Sequence, residues 1–401
     1  MDGPSREAAA VGLLTGPDAG TLLRRALRPA GLAVHRWTLR RVHHRPGAGA
    51  TAIYDVAALA GARRAAETVC VSTVPVPLLS PAPVVRLRHR DLELVAWRHP
   101  HDPWLPGLPW ASSPGHVGRA VFGSGEPAAL TTLSYRPGRR AVVRAVLGSE
   151  VRYLKVLRAG RAEGLVDRHR LLLGAGLPVP EPVGALVDDV VVLRALPGAP
   201  PPVAARDGDA AALLPAHVLA LLDALPAQVL ALPARPAWTD RVLDYGRAAA
   251  VALPEEADRI RELARAVDEA RAATGPGPVV PVHGDLHEAN LLVTPGTEGP
   301  FGPVTGLLDV ETAGPGHRVD DLACLAGHLA VLPAGSARTA ATARRMLAGF
   351  DEAVDPTALR VRAAGVALSL VAGARRSGGP PDRARQRLAV AERLLAEARA
   401  R

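Results

Sequence analysis

The chain has 401 residues, 48% hydrophobic and 22% charged, which suits two or three domains and is too apolar for a disordered chain. No uninterrupted apolar run reaches the roughly eighteen residues of a membrane span, Cys70 and Cys324 cannot form a disulfide framework, and Asp2, Arg6 and Glu7 break any leader pattern, so a cytoplasmic protein off the membrane is expected. The net charge of +9 is uneven, with 26 basic and 15 acidic side chains in residues 1–195 against 22 and 24 in 196–401; yet aromatics make up only 3% and no basic block carries them, so nucleic acid is not an expected partner.

In chain order, Ala19–Leu27 predicts a short helix, and Trp37–His44 and Thr51–Val56 predict strands around the turn Arg45-Pro-Gly. The same form returns as Thr131–Tyr135, Arg136-Pro-Gly and Arg140–Val146, followed by a strand Val151–Leu157. Between the two blocks, His99–Trp110 holds four prolines in twelve residues and is not expected to be helical. Four of the five tryptophans lie in residues 1–110, which predicts a separate small core and a cap-like region ending near residue 115. Glu163–Gly174 reads as a helix stopped by Gly176, Pro178 and Pro180. Val190–Leu196 reads as a buried strand, with Pro197-Gly-Ala-Pro-Pro-Pro as a linker. Helical periodicity then runs through 209–232, 254–273, 335–350, 356–375 and 381–400, interrupted by strand-like segments at 279–314. Strands first and helices after make a two-lobed α+β layout.

Arginine supplies every basic side chain but the histidines and one lysine, Lys155; Asn290 is the one asparagine. Lysine is a compact point charge where arginine is a planar fork, and an asparagine oxygen is an acceptor without charge. Both are properties a site uses. Asn290 ends the polar octet His283-Gly-Asp-Leu-His-Glu-Ala-Asn, set between apolar runs. Downstream, Leu307-Leu-Asp309 puts an acid at the end of a buried strand, a costly position unless it meets a cation or a donor. His283, at the end of an apolar strand, reads as structural. Asp320 and Asp321 precede a helix over Leu322–Ala330, with one of them as its cap. Cys324 reads as core.

The octet resembles the phosphotransferase motif of the aminoglycoside phosphotransferase and choline kinase superfamily, and Leu-Leu-Asp309-Val-Glu311 resembles its metal-binding segment. Glycine at 284 stands where the protein-kinase signature has arginine, with the same spacing from Asp to Asn. The resemblance is strongest over 279–325. It continues through Tyr153-Leu-Lys-Val, Gly176-Leu-Pro-Val-Pro and Leu193-Arg-Ala-Leu-Pro-Gly, and is weakest over 1–115. It implies a protein-kinase-like two-lobed α+β fold with a mixed β N-lobe (116–196), a mostly helical C-lobe (197–401) and an extra N-terminal cap (1–115). It further implies transfer of the ATP γ-phosphate to a hydroxyl of a small molecule, with Asp285 as the catalytic base and Asn290 and Asp309 as ligands of Mg²⁺. Lys155 would meet the α/β-phosphates, the hairpin with Arg136 and Gly138 would cover them, and Leu193 would begin the hinge beside the adenine. Asp167 is the nearest fit for the acid paired with Lys155, with Glu163 earlier on the same helix; the hinge carries Arg194 where the family often has an acid.

Two other readings belong to different classes. His283, Asp285 and His287 alternate, which on a strand would put three ligands on one face, as in a zinc-dependent hydrolase. A non-catalytic kinase-like binding protein is the other, and the intact Lys155, Asp285, Asn290 and Asp309 set speaks against it. The acceptor is expected to be a hydroxylated small molecule. Choline is disfavoured, because the C-terminal half has few aromatics to cage a quaternary ammonium.

Overall fold

The computed structural model describes residues 3–45, 49–77, 82–201, 213–332, 337–376 and 380–401. The chain divides into two compact units, Met1–Val166 with Pro182–Ala195, and Asp167–Glu181 with Leu196–Arg401.

The first unit is built on two antiparallel sheets. One has the order β1-β2-β3-β5-β4, from β1 (Ala33–Arg45), β2 (Gly49–Ala60), β3 (Arg63–Ser72), β4 (Val84–His89) and β5 (Leu92–Arg98). Alternation sorts its two faces. Ala50, Ala52, Tyr54, Val56 and Ala58 of β2 pack with Leu14, Leu22, Leu23 and Leu27 from the helices Gly3–Thr15 and Ala19–Leu27. Tyr54 brings its hydroxyl into this core and donates it to the Leu14 carbonyl at 2.6 Å, which avoids a buried unpaired donor. On the opposite face Ile53 joins Cys70 and Trp97, against Trp104 and Tyr135. The helix Ala19–Leu27 matches its expected span; β3 to β5 and the first helix have no counterpart in the sequence reading, and the first Arg-Pro-Gly turn falls partly outside the described residues.

The second sheet has the order β6-β7-β8-β9, from β6 (Ala129–Arg136), β7 (Arg140–Leu147), β8 (Glu150–Val156) and β9 (Val190–Arg194). Ala141, Val143, Ala145, Leu154, Val156, Val190 and Val192 form its inner face. They pack on Leu105 and Leu108, so the proline-rich segment supplies core rather than spacing. Its last residues also depart from expectation. Leu108–Ala111 makes one helical turn, with Pro109 at the start, where no N–H is needed.

The second unit is helical. Pro356–Ser369 lies at its centre, buried at every position from Ala358 to Leu368, and packs against Arg318–Val331, Pro381–Arg399, Val242–Ala252 and Ala257–Ala273. The stretch Pro356–Ala374 is long and apolar enough to cross a membrane, but it is 78% buried within the protein and serves as its core helix. Its two buried guanidinium groups are paired, Arg360 with Asp351 at 2.8 Å and Arg362 with Asp320 at 3.3 Å, as buried charge requires. Two short ladders are set among the helices: β10 (Val279–Val282) with β13 (Gly314–His317), and β11 (Leu291–Val293) with β12 (Val304–Leu307). The start of the expected linker is tied down, with Ala199 and Val293 exchanging backbone bonds of 3.1 and 2.8 Å. Of the expected helix over 209–232, Pro215–Asp223 is α-helical, Ala227–Ala231 is a 3₁₀ turn after Pro226, and residues 202–212 lie outside the described part.

Candidate active site

The octet forms the connection from β10 to β11, and its shape is fixed by one buried carboxylate. Asp321, on the helix Arg318–Val331, accepts the N–H of His283 at 2.6 Å and of Gly284 at 2.8 Å. Gly284 has φ +80°, and a Cβ there would lie 2.7 Å from the Thr312 carbonyl oxygen, so the turn requires glycine. His283 is fully buried. Its Nε2 lies 2.8 Å from the Leu308 carbonyl and its Nδ1 accepts the Asp285 N–H at 3.3 Å. Both ring nitrogens are engaged, so the hydrolase reading, with His283 as a metal ligand, loses its first member. Neither Asp320 nor Asp321 caps the helix, contrary to expectation: both lie within its first turn, the N-cap is His317, which makes no side-chain cap bond, and Asp321 holds the loop instead.

At the far end of the loop, the Asn290 side chain donates Nδ2–H to the Asp285 carbonyl at 2.9 Å, leaving its oxygen as the atom to offer a cation. The β11–β12 register pairs Leu291 with Leu307, and Leu308 N–H donates to the Asn290 carbonyl at 2.8 Å. The ladder therefore brings Asn290 and the residue after Leu308, Asp309, to the same end. Asp309 sits in the left-handed region, with φ 57° and ψ 41°, a conformation uncommon for a residue with a Cβ and concentrated at functional turns.

Two residues outside the loop, His328 and Trp238, meet side chains within it. His287 accepts the Ala289 N–H on Nδ1 at 3.2 Å and stacks on His328, centroids 4.6 Å apart. Burial, then the neighbouring His328, holds the His287 imidazole below its ordinary pKa. Glu288 Oε2 lies 3.3 Å from His328 Nδ1, and these three residues are the one set of close potential metal ligands among the described residues. Trp238 Nε1–H donates to Asp285 Oδ1 at 2.9 Å. Trp238 also lines a cleft of about 520 Å³ with Asp240, Arg271, Gly284, Asp320 and Arg362. Four of the cleft's charged side chains form two pairs, Arg271 with Asp240 at 3.1 Å and Arg362 with Asp320 at 3.3 Å, while Arg235 and Asp321 also line it.

The other sequence-predicted residues belong to the first unit or to the helix Ala162–Gly174. Lys155 is 5% exposed on the inner strand β8, paired with Val142 of β7 and Val191 of β9. Leu193 is buried on β9 opposite Tyr153. Asp167 departs from expectation: its side chain is 76% exposed, 3.9 Å from Arg170, which is a solvent-facing pair one turn along the helix and not the sheltered position of a buried ammonium's partner. Glu163 is exposed too. Arg136 lies exposed at the end of β6. The Gly138 N–H, at the hairpin tip, is engaged within the first unit. It donates to the Asp102 carboxylate at 2.8 Å, and the same oxygen accepts the Tyr135 hydroxyl at 2.8 Å. Asp102 also accepts the Trp104 N–H at 2.9 Å, and burial raises its carboxyl pKa against the pull of these donors. The hairpin tip is thus anchored to the proline-rich segment.

Sequence reasoning missed Asp102 and Trp238, and it read Asp320 or Asp321 as a helix cap where Asp321 instead anchors the loop. Burial, opposed by the two backbone donors, pushes its carboxyl up to about 7. The folded protein then keeps a proton that the unfolded chain has lost above the ordinary carboxyl range, so this group's contribution to stability falls as pH rises toward about 7. Asp321→Asn is expected to flatten that dependence and to cost about 1–3 kcal/mol, since one amide oxygen faces two buried N–H groups. Urea unfolding of both proteins at acidic and mildly alkaline pH measures it; equal stabilities would show that the loop is held otherwise.

Comparison with known proteins covers most of the second sheet and of the helical unit. The family described as the phosphotransferase enzyme family matches residues 138–363, more than half of the chain. Among solved structures, the chain is similar to a thermostable mutant of aminoglycoside phosphotransferase APH(4)-Ia in a ternary complex with ADP and hygromycin B, at 18% identity and a TM-score of 0.46, over 69% of this chain and 96% of that one. It is similar to aminoglycoside-3'-phosphotransferase of type VIII at 26% identity and a TM-score of 0.42, over 60% and 92%. It is similar to choline kinase from Cryptosporidium parvum Iowa II at 11% identity and a TM-score of 0.45, over 68% and 90%. No curated protein sequence matches.

Proposed function

Because the chain belongs to the phosphotransferase enzyme family, we propose that it is a small-molecule kinase that transfers the γ-phosphate of ATP to a hydroxyl of a sugar-like or aminoglycoside-like alcohol. The observation that carries this reading is the loop itself. Asp285 stands between Asn290, bonded to its backbone, and Trp238, bonded to its carboxylate, beside a cleft large enough for a small organic molecule.

Phosphoryl transfer asks a protein for positioning and charge neutralisation. The Asn290 oxygen and the Asp309 carboxylate are hard oxygen donors on one ladder end, a set that fits Mg²⁺. Bound magnesium would neutralise the charge of the transferring phosphate. Lys155 would hold the nucleotide phosphates as a point charge, and Asp285 would take the proton of the attacking hydroxyl. The cleft argues against choline. Trp238 is its one Phe, Tyr or Trp side chain among the described residues, too few for a cationic cage.

Thermal stability with ATP and Mg²⁺ or Zn²⁺, followed by ATP consumption over a panel of hydroxylated acceptors, tests the proposal. Stabilisation that needs ATP and Mg²⁺ together, and consumption that depends on the acceptor, are expected. Stabilisation by zinc with indifference to ATP would favour the hydrolase reading. Nucleotide binding with no turnover on any acceptor would favour the binding protein.

A further inference from the structure

We propose that Trp238 is a positioning residue for Asp285: its indole N–H fixes one carboxylate oxygen, so that the other is presented to the acceptor hydroxyl, and its ring walls the cleft in which the acceptor lies. The inference rests on the reading of Asp285 as the base, and goes beyond it by assigning the residue that orients that base.

The indole is itself held in place. Trp238 opens the 3₁₀ turn Trp238–Arg241, closed at its start by the Ala237 N–H donating to Asp240 at 2.8 Å. Arg271 ties Asp240 to the helix Ala257–Ala273 at 3.1 Å, and Thr239 next to Trp238 is buried. The Tyr245 ring lies 5.7 Å away at 33°, and the Arg241 guanidinium sits 5.8 Å from that ring. A side chain fixed this way can deliver its one polar group to a set point.

What it delivers suits a base. The indole N–H is a donor and nothing else, so it holds Oδ1 without competing for the proton and without cancelling the carboxylate's charge as an arginine would. This matters in a chain that uses arginine at almost every other basic position. A carboxylate free to rotate offers either oxygen in many orientations, whereas one pinned through Oδ1 offers Oδ2 in a single direction, and reacting groups held in line gain rate through orientation. Exposure separates the role from plain packing. Trp238 is 38% exposed and lines the cleft, a large ring not closed into the core.

Two variants divide the two parts of the proposal. Trp238→Phe keeps an aromatic wall and removes the N–H, so kcat on the best acceptor is expected to fall on the order of tenfold with KM nearly unchanged. Trp238→Ala removes both, and KM is expected to rise as well. The contact itself is read without turnover from the indole N–H signals of the protein labelled with ¹⁵N-tryptophan. Trp238's signal is identified by its loss in Trp238→Phe, and it is expected to move in Asp285→Ala while those of Trp37, Trp97, Trp104 and Trp110 stay, which also reports an intact fold. An unmoved Trp238 signal in Asp285→Ala, or an unchanged kcat in Trp238→Phe, overturns the assignment. Absence of turnover on every acceptor in the wild-type chain, with the signal moving as expected, would sink the kinase reading and the role in catalysis while leaving the contact demonstrated.

Discussion

Asp285→Asn is expected to lower turnover by about 10²–10⁴-fold while leaving magnesium–nucleotide affinity almost unchanged. The substitution is close to isosteric, and the surrounding bonds survive it. An amide oxygen can still accept the Trp238 N–H, and Asn290 still finds the backbone carbonyl of residue 285. The His283–Asp321 anchoring does not involve the side chain at 285. What disappears is a carboxylate able to accept a proton as the acceptor oxygen attacks. A loss confined to kcat, with calorimetric binding of Mg·ATP retained, follows if Asp285 is the base. If nucleotide binding falls as far as turnover, Asp285 belongs to the metal or phosphate site instead. Full activity on a good acceptor would remove it from the mechanism.

The parts of this site that sequence reveals are those in which chemistry and spacing occur together over a few residues. The octet His283–Asn290 carries its own constraints: Gly284 because the turn admits nothing larger, and Asn290 because its amide N–H closes the loop onto the Asp285 carbonyl. Lys155 stands out because a background so depleted in lysine keeps one on an apolar strand, and that strand is β8 in the middle of its sheet. Long-range partners are not visible in this way. Trp238 meets Asp285 across 47 positions and Asp102 meets Gly138 across 36, through bonds that no periodicity announces. Composition hides structure as well. Alanine suits an inner or an outer face almost equally, so β3, whose outer half is Arg63-Arg-Ala-Ala, and the helix Val242–Ala252 give little alternation to read. The acid at 167 shows the opposite error, because position along a helix says nothing of which face it takes, and this one faces water.

Lys155→Arg is expected to cost on the order of 10²-fold in rate, although the charge is kept. The inner sheet leaves little latitude at this position. Leu154 and Val156 on either side point into the core of the second sheet and are fully buried. Val142 and Val191 flank Lys155 across the ladder. At 5% exposure the side chain has a fixed path, and the ammonium at its end is compact, with three donors that can turn to meet phosphate oxygens. Guanidinium is larger and flat, and it directs its donors in one plane, so the phosphates or the neighbouring side chains must shift to admit it. A displacement of about 1 Å at the reacting groups is enough for a loss of that size. Stability should change less than rate, since the long apolar stem remains. The comparison of interest is therefore kcat and nucleotide affinity against the unfolding midpoint of the same variant. A fall in rate at a preserved midpoint identifies Lys155 as a phosphate ligand. Equal rates and equal affinity would leave it a core lysine, and the nucleotide site would have to be sought away from β8.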